Sequence, residues 1–124
     1  MLEIGLSYEQ EKIVSKQDTA IAHGSGSLNV FATPAMIAFM ENTCMKLASK
    51  YLDSEQTTVG ISVNIQHIKA TLPDKKVKCI ASLIEIDNRI LKFKVDVFDE
   101  ENKIGEGFHQ RAIVNIEKFL SKLK

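Results

Sequence analysis

The sequence predicts an α+β fold: an antiparallel sheet wrapped around one long central helix. Two observations carry this expectation. Met36, Ile37, Met40, Cys44, Leu47, Ala48 and Tyr51 recur at helical spacing, in a stretch apolar enough to be well buried. After it come four strand-like stretches with turn residues between them and no second long helical pattern. One strand before the helix and four after it, in a meander, leave a sheet with one face covered by that helix.

Taken in order, residues 7–19 are polar around Ile13-Val14 and read as a modest first strand. Residues 20–32 contain His23-Gly24-Ser25-Gly26-Ser27 and read as a flexible loop. Such glycines and serines suit a phosphate cradle. The lysine and spacing of a P-loop are missing, and the plainer expectation is a crossover segment bordering a pocket. Thr33-Pro34 starts the helix, with threonine as cap and proline in the first turn. The helix is expected to end near Tyr51–Asp53.

Val59 to Ala70 alternates as a strand, and Pro73-Asp74 marks a turn. Val77 to Ile86 is a second, mostly apolar strand that ends at Asp87-Asn88. Leu91, Phe93, Val95 and Val97 alternate with Lys92, Lys94 and Asp96, a strand with one wet face. Lys103 to Ile116 is the last strand, where Gly105 and Gly107 imply a bulge or a close approach. Glu117 to Lys124 is expected to form a short helix. No linker or repeat appears, so residues 1–124 read as one domain. This arrangement is the hotdog architecture.

Composition narrows the function classes. The chain has 124 residues, 44% of them hydrophobic, enough for a core. A domain this small leaves much surface unburied, and dimer formation would cover part of it. Lysine plus arginine and aspartate plus glutamate are 16 each, so no basic surface favours nucleic acid. Cys44 and Cys79 fall in core elements at no zinc-site spacing and read as buried reduced thiols. There is no signal-like start and no run of the ~20 apolar residues a membrane span needs, so the expectation is a cytoplasmic protein without a membrane partner.

Two polar residues break the apolar pattern. Glu41 has Ile37, Ala38, Cys44 and Met45 three and four residues away. A lysine at the fourth position would be ordinary on a helix surface, and a carboxylate among apolar groups is costly. His67 is in phase with Val59, Ile61, Val63 and Ile65, on the expected core side of its strand. Complementary titratable groups on two elements that pack together point to a reaction site. Each has a plain alternative: Thr33 as a helix cap, Glu41 as a structural carboxylate paired with a lysine, His67 as a core histidine. Gly60 fits a close approach of substrate to backbone or a turn. Arg111 suits a substrate or phosphate group, or a carboxylate partner. His23 and His109 receive no role.

The stretches Val30-Phe31-Ala32-Thr33, Met40-Glu41, Gly60 with His67 seven residues on, Gly105-Glu106-Gly107-Phe108-His109-Gln110-Arg111-Ala112 and Glu117-Lys118-Phe119 resemble the fluoroacetyl-CoA thioesterase family of hotdog proteins. The resemblance implies thioester hydrolysis by a Thr/Glu/His constellation at Thr33, Glu41 and His67. It also implies a homodimer with sites at or near the subunit interface, and no metal or other cofactor. A pairing of dimers into a tetramer is a further expectation. The substrate implied is a short or modified acyl-CoA, and Arg111 falls where the family also has arginine. Attack by Glu41, by Thr33 or by activated water is open at this stage. The family's fluoroacetyl-CoA enzyme carries aromatic lid residues before the helix, where this chain has His23 to Asn29 and no aromatic. The competing class is a non-catalytic acyl-CoA-binding hotdog module, which would have no need of a buried base. A hotdog hydratase would need an Asp/His pair in an Asn-Pro loop, and none is present.

Overall fold

The computed structural model describes residues 1–124. Five antiparallel strands form one sheet in the order β1-β3-β4-β5-β2: β1 (Ser7–Ile13), β2 (Gln56–His67), β3 (Lys76–Asp87), β4 (Ile90–Phe98) and β5 (Lys103–Asn115). A one-turn helix α1 (Ala20–His23) precedes the long helix α2 (Thr33–Ser49), and α3 (Ile116–Ser121) ends the chain. This is the hotdog arrangement, with α2 lying along one face of the sheet.

Helix α2 buries Ala35, Met36, Phe39, Met40, Thr43, Cys44, Leu47 and Ala48 and leaves its other flank wet. The sheet answers with Val77, Cys79, Ala81 and Leu83 from β3, and Leu91, Phe93, Val95 and Val97 from β4, all fully buried. Each large aliphatic or aromatic side chain buried this way stabilises the fold by roughly 1.5–3 kcal/mol. The opposite face of the sheet carries Lys94 and Lys103 paired to Asp96 and Glu106 at 2.7–3.8 Å. The alternation read in β4 is therefore apolar toward the helix and charged toward water.

Several elements differ from expectation, β2 and α3 among them, which span Gln56–His67 and Ile116–Ser121. The first strand stops at Ile13, where Ser15 and Asp18 hold a tight turn: the Asp18 carboxylate accepts from the Ser15 amide at 2.8 Å. The expected loop contains α1, because Thr19 Oγ1 accepts from the Ala22 amide and Gly24 closes the turn in the left-handed region, φ 67°. Helix α2 ends at Ser49, short of Tyr51. Its cap is Ala32, and Thr33 is the first helical residue, making no cap hydrogen bond. The Thr33 hydroxyl is engaged elsewhere.

A further difference matters for the site. The β2–β5 ladder shifts register between Gly60 and Ser62. Ile61 is the extra residue, and a bulge of this kind exchanges the faces on either side of it. Val63 and Ile65 share the His67 face, as expected. Val59 and Ile61 do not; Thr58 and Gly60 take their place toward the helix, opposite Ile113 and Arg111.

The β5 glycines permit close approach. A Cβ on Gly105 would lie 2.5 Å from Met36 Sδ. Gly107 sits at φ 155°, and a Cβ there would overlap the Asn64 carbonyl and come within 2.6 Å of Ile65 Cα. Those atoms are backbone and cannot swing aside. Gly107→Ala is expected to cost about 2–4 kcal/mol, whereas Gly105→Ala, whose closest contact is the flexible end of Met36 with the Gln66 carbonyl farther off at 3.3 Å, should cost less. Urea unfolding of the two variants checks this; equal midpoints would contradict the backbone argument.

Candidate functional site

The residues singled out from sequence fall into two groups at opposite ends of the α2–β2 contact. At one end, the start of α2 meets the end of β2. Thr33 Oγ1 lies 2.8 Å from His67 Nδ1. His67 is half-buried and packs edge-on against Phe31, ring centroids 6.4 Å apart. Burial lowers its pKa, offset in part by the Lys69 backbone, so the ring is neutral at neutral pH. Its second nitrogen, Nε2, is buried with no hydrogen-bond partner. An orphaned ring nitrogen is costly and calls for a partner. A groove of about 340 Å³ opens over this pair, lined among others by Ala20, Ser25, Phe31, Pro34 and Lys69. The glycine- and serine-bearing segment forms part of its rim, the pocket-bordering place expected of it.

At the other end, Glu41 stands over Gly60. A Cβ on Gly60 would lie 3.0 Å from Glu41 Oε2, 3.3 Å from His109 Cε1 and 3.4 Å from Arg111 Nη1. The missing side chain at Gly60 lets a carboxylate, an imidazole and a guanidinium come close to the β2 backbone. Glu41 is half-buried and belongs to none of the ion pairs of the molecule. The lysine-paired structural carboxylate is therefore not what the fold contains. Arg111 is 7% exposed. It donates from Nε to Thr58 Oγ1 at 2.7 Å and from Nη2 to the Thr58 carbonyl at 2.9 Å. Burial lowers its pKa, while the nearby Cys44 and Glu41 raise it.

Sequence reasoning passed over His109 and Thr58. His109 is 1% exposed, with Nδ1 2.8 Å from the Ser62 carbonyl and Nε2 3.1 Å from Arg111 Nη1. The available signal was its spacing: His109 and Arg111 are two apart on one strand and so share a face. Thr58 was hidden by the bulge that reverses the phase of β2.

The two groups do not meet within one chain. Thr33 and Glu41 are eight residues apart on α2, about 12 Å along its axis. Gly60 and His67 are about 20 Å apart along β2. The cysteines supply no nucleophile at either end: burial pushes both thiols up, Cys79 to about 11. No group of three or more His, Cys, Asp or Glu side chains is placed to hold a metal ion, and no helix is long and apolar enough to cross a membrane.

Comparison with known proteins adds a family. Residues 14–117 match the family model described as FlK, fluoroacetyl-CoA-specific thioesterase. A fluoroacetyl-CoA thioesterase of Streptantibioticus cattleyicolor is 34% identical over 95 residues, 77% of this chain and 68% of that protein. The solved structure of the fluoroacetyl-CoA thioesterase FlK superposes with a TM-score of 0.93 at 27% identity, covering 99% of this chain and 96% of that one. A thioesterase superfamily member from Thermus thermophilus, at 21% identity and a TM-score of 0.89 over 99% of this chain and 93% of that one, shares the fold.

Both site histidines have pKa values lowered by burial from 6.5. In the unfolded chain they take up protons near pH 6.5; in the fold they resist doing so. Their contribution to stability is present above that pH and is lost as the pH falls below it. Asp99, held down by the amides of Glu101 and Asn102, loses its own contribution only as the pH falls below about 3.8. Melting temperature should therefore drop as the pH falls below about 6.5, more shallowly in His67→Gln. A flat melting temperature below that pH would contradict the burial of these rings.

Proposed function

We propose a function from one premise: this chain belongs to the fluoroacetyl-CoA-specific thioesterase family. It is an acyl-CoA thioesterase, a thioester hydrolase. The finer reading is a Thr/Glu/His site that acts on a short or modified acyl group and is completed across a homodimer.

The observation that carries the reading is the 2.8 Å contact between Thr33 Oγ1 and a neutral His67 Nδ1. A neutral imidazole beside a hydroxyl can accept its proton as the oxygen attacks. When Nδ1 accepts, the proton of His67 is on Nε2, the buried atom without a partner. Glu41 is the matching group, a carboxylate without an ion pair, yet it stands over Gly60, about 20 Å along β2 from His67 of the same chain.

A two-fold axis resolves the mismatch. Strand β2 is an edge strand of twelve residues, Gln56–His67, with no Asp, Glu, Lys or Arg among them. Strand β1, at the other edge, carries Glu9, Glu11 and Lys12. Charges protect an edge from pairing, and β2 lacks them. Ile61 and Val63, 50% and 44% exposed, lie on that unprotected strand. Antiparallel pairing of β2 with its copy sets the early part of one strand opposite the late part of the other. The Gly60 end, with Glu41 above it, then approaches the Thr33 and His67 end of the second subunit. The orphaned Nε2–H gains a carboxylate acceptor, the arrangement of a nucleophile–base–carboxylate triad.

In this scheme Thr33 Oγ1 attacks the thioester carbonyl and its proton passes to His67 Nδ1. The carbon–sulfur bond breaks, and the departing thiolate takes that proton. Water then adds to the Thr33 ester and gives its proton to His67; the bond from the acyl carbon to Oγ1 breaks, His67 returns the proton to Thr33 Oγ1, and the carboxylic acid leaves. The amides at the start of α2 and its dipole favour the developing negative charge. Gly60 and Arg111 line the approach from the other subunit, Arg111 as a cation facing the acyl group.

Thiol release from acyl-CoA by the purified protein tests the activity. Glu41→Gln and His67→Ala should each lower kcat/KM by about 10²-fold or more, with the fold retained. Mixing the two variants tests the composite site. A mixed dimer holds one doubly altered site and one intact site, so subunit exchange should restore activity to about a quarter of the parent value for random pairing of equal amounts. No restoration despite exchange, or a monomer by light scattering, would overturn the shared site. Full activity in Glu41→Gln would leave a binding module as the better account.

No aromatic residue borders the Thr33 groove from the Gly24–Val30 segment. An entrance without an aromatic lid favours a broader acyl range than a fluoroacetyl-specific enzyme has. Acetyl-, fluoroacetyl-, butyryl- and branched acyl-CoA should be turned over at comparable kcat/KM. Strong preference for fluoroacetyl-CoA alone would contradict this.

A further inference from the structure

His109 is buried beneath the Glu41 end of the site and lies outside the Thr/Glu/His set. Its protonation state can be read from its two neighbours. The Ser62 carbonyl, 2.8 Å from Nδ1, can only accept, so Nδ1 carries a proton. The Arg111 guanidinium, 3.1 Å from Nε2, can only donate, so Nε2 is bare. Both contacts are satisfied by one form alone, the neutral ring protonated at Nδ1. A ring protonated at both nitrogens would set an N–H against the N–H of a cation.

The consequence lies with Arg111. Thr58 holds one side of the guanidinium through Nε and Nη2. His109 holds the Nη1 side, nearest Gly60 and Glu41. A carboxylate in that position would hold the arginine equally well and cancel its charge. A neutral imidazole orients the same group and leaves the charge in place. The ring is itself clamped, stacked beside Phe93 on β4 with centroids 6.5 Å apart and planes at 28°.

We propose that His109 is a positioning residue: as the Nδ1–H tautomer it accepts a hydrogen bond from Arg111 and holds the guanidinium beside Gly60 and Glu41, on the side where the acyl thioester is to bind. The role in turnover rests on the thioesterase reading; the tautomer and the Arg111 contact do not. The titratable and charged groups around the ring are Glu41 and Cys44 from α2 and Arg111 from its own strand. Strands β2 and β4 face it with Thr58, Ser62 and Phe93, none of which titrates.

The test has a kinetic and a spectroscopic arm. His109→Leu keeps bulk and removes the acceptor; His109→Gln restores one through its amide oxygen. The leucine variant should lose on the order of 10- to 100-fold in kcat/KM, the worth of one hydrogen bond to a charged group, and glutamine should recover most of it. In an Arg111→Met background, His109→Leu should cost nothing further, because the group it positions is gone. An equal loss in both backgrounds, or parent activity in folded His109→Leu, would overturn the proposal. Nitrogen NMR of the histidine-labelled parent protein reads the tautomer without reference to activity. It should show His109 protonated at Nδ1 and bare at Nε2 at neutral pH, and Arg111→Met should release that state. A ring protonated at Nε2 would sink the proposal even if the protein is a thioesterase. Absent turnover with the expected tautomer would instead sink the thioesterase reading and, with it, the role in turnover, while the contact stands.

Discussion

Helix α2 and strand β2 run antiparallel across their contact, and the layout of the site depends on that crossing. The start of the helix meets the end of the strand, which brings Thr33 onto His67. Two turns later the same helix stands over Gly60 and presents Glu41. Both meetings are set by backbone geometry: a helix advances about 1.5 Å per residue and a strand about 3.3 Å. No side-chain rotation closes a gap of that size. Within one subunit Glu41 therefore stays apart from Thr33 and His67, the carboxylate outside every ion pair and His67 Nε2 without a hydrogen-bond partner.

Those unfinished groups are informative because the rest of the interior is finished. Buried polar atoms in folded proteins are nearly always paired, and here the only other orphaned buried side-chain atom is Thr71 Oγ1. Each Arg111 nitrogen is engaged by Thr58 or His109. His109 in turn is supported by the Ser62 carbonyl, two residues past Gly60 and just beyond the bulge. One irregularity in β2 thus serves several ends. It turns Thr58 and Gly60 toward the helix, keeps His67 on that same face, and lets the ladder to β5 continue.

The two edges of the sheet are treated differently by the chain. β1 has alternating charges and is tied to α2 by Gln10, whose amide donates to Asn42 and Thr43 at 2.9 and 2.8 Å. β2 has an uncharged run and exposed aliphatic groups. A long uncharged edge invites pairing, and in the proposed dimer this edge would carry Glu41 of one subunit toward Thr33 and His67 of the other.

The sequence by itself determined the element order, the long helix and the one wet face of β4. These follow from periodicity, and periodicity is a local property of a chain. The sequence, through its broken apolar pattern and its family resemblance, singled out Thr33, Glu41, His67, Gly60 and Arg111. It could not say which of them touch. Only the tertiary structure decided that Thr33 meets His67 while Glu41 meets Gly60, because the answer depends on the relative direction of two elements far apart in sequence. The cap at Ala32 in place of Thr33 was hidden for the same reason: a threonine hydroxyl goes to whichever partner the fold brings near, and here that is an imidazole 34 residues away. The phase of β2 was misread at Val59 and Ile61 because a bulge is a relation between two strands and leaves no mark in the alternation of one. His109 escaped notice because a histidine on a strand has no meaning until its two nitrogens have neighbours; the Ser62 carbonyl and the Arg111 guanidinium supply them only when β2 and β5 are side by side.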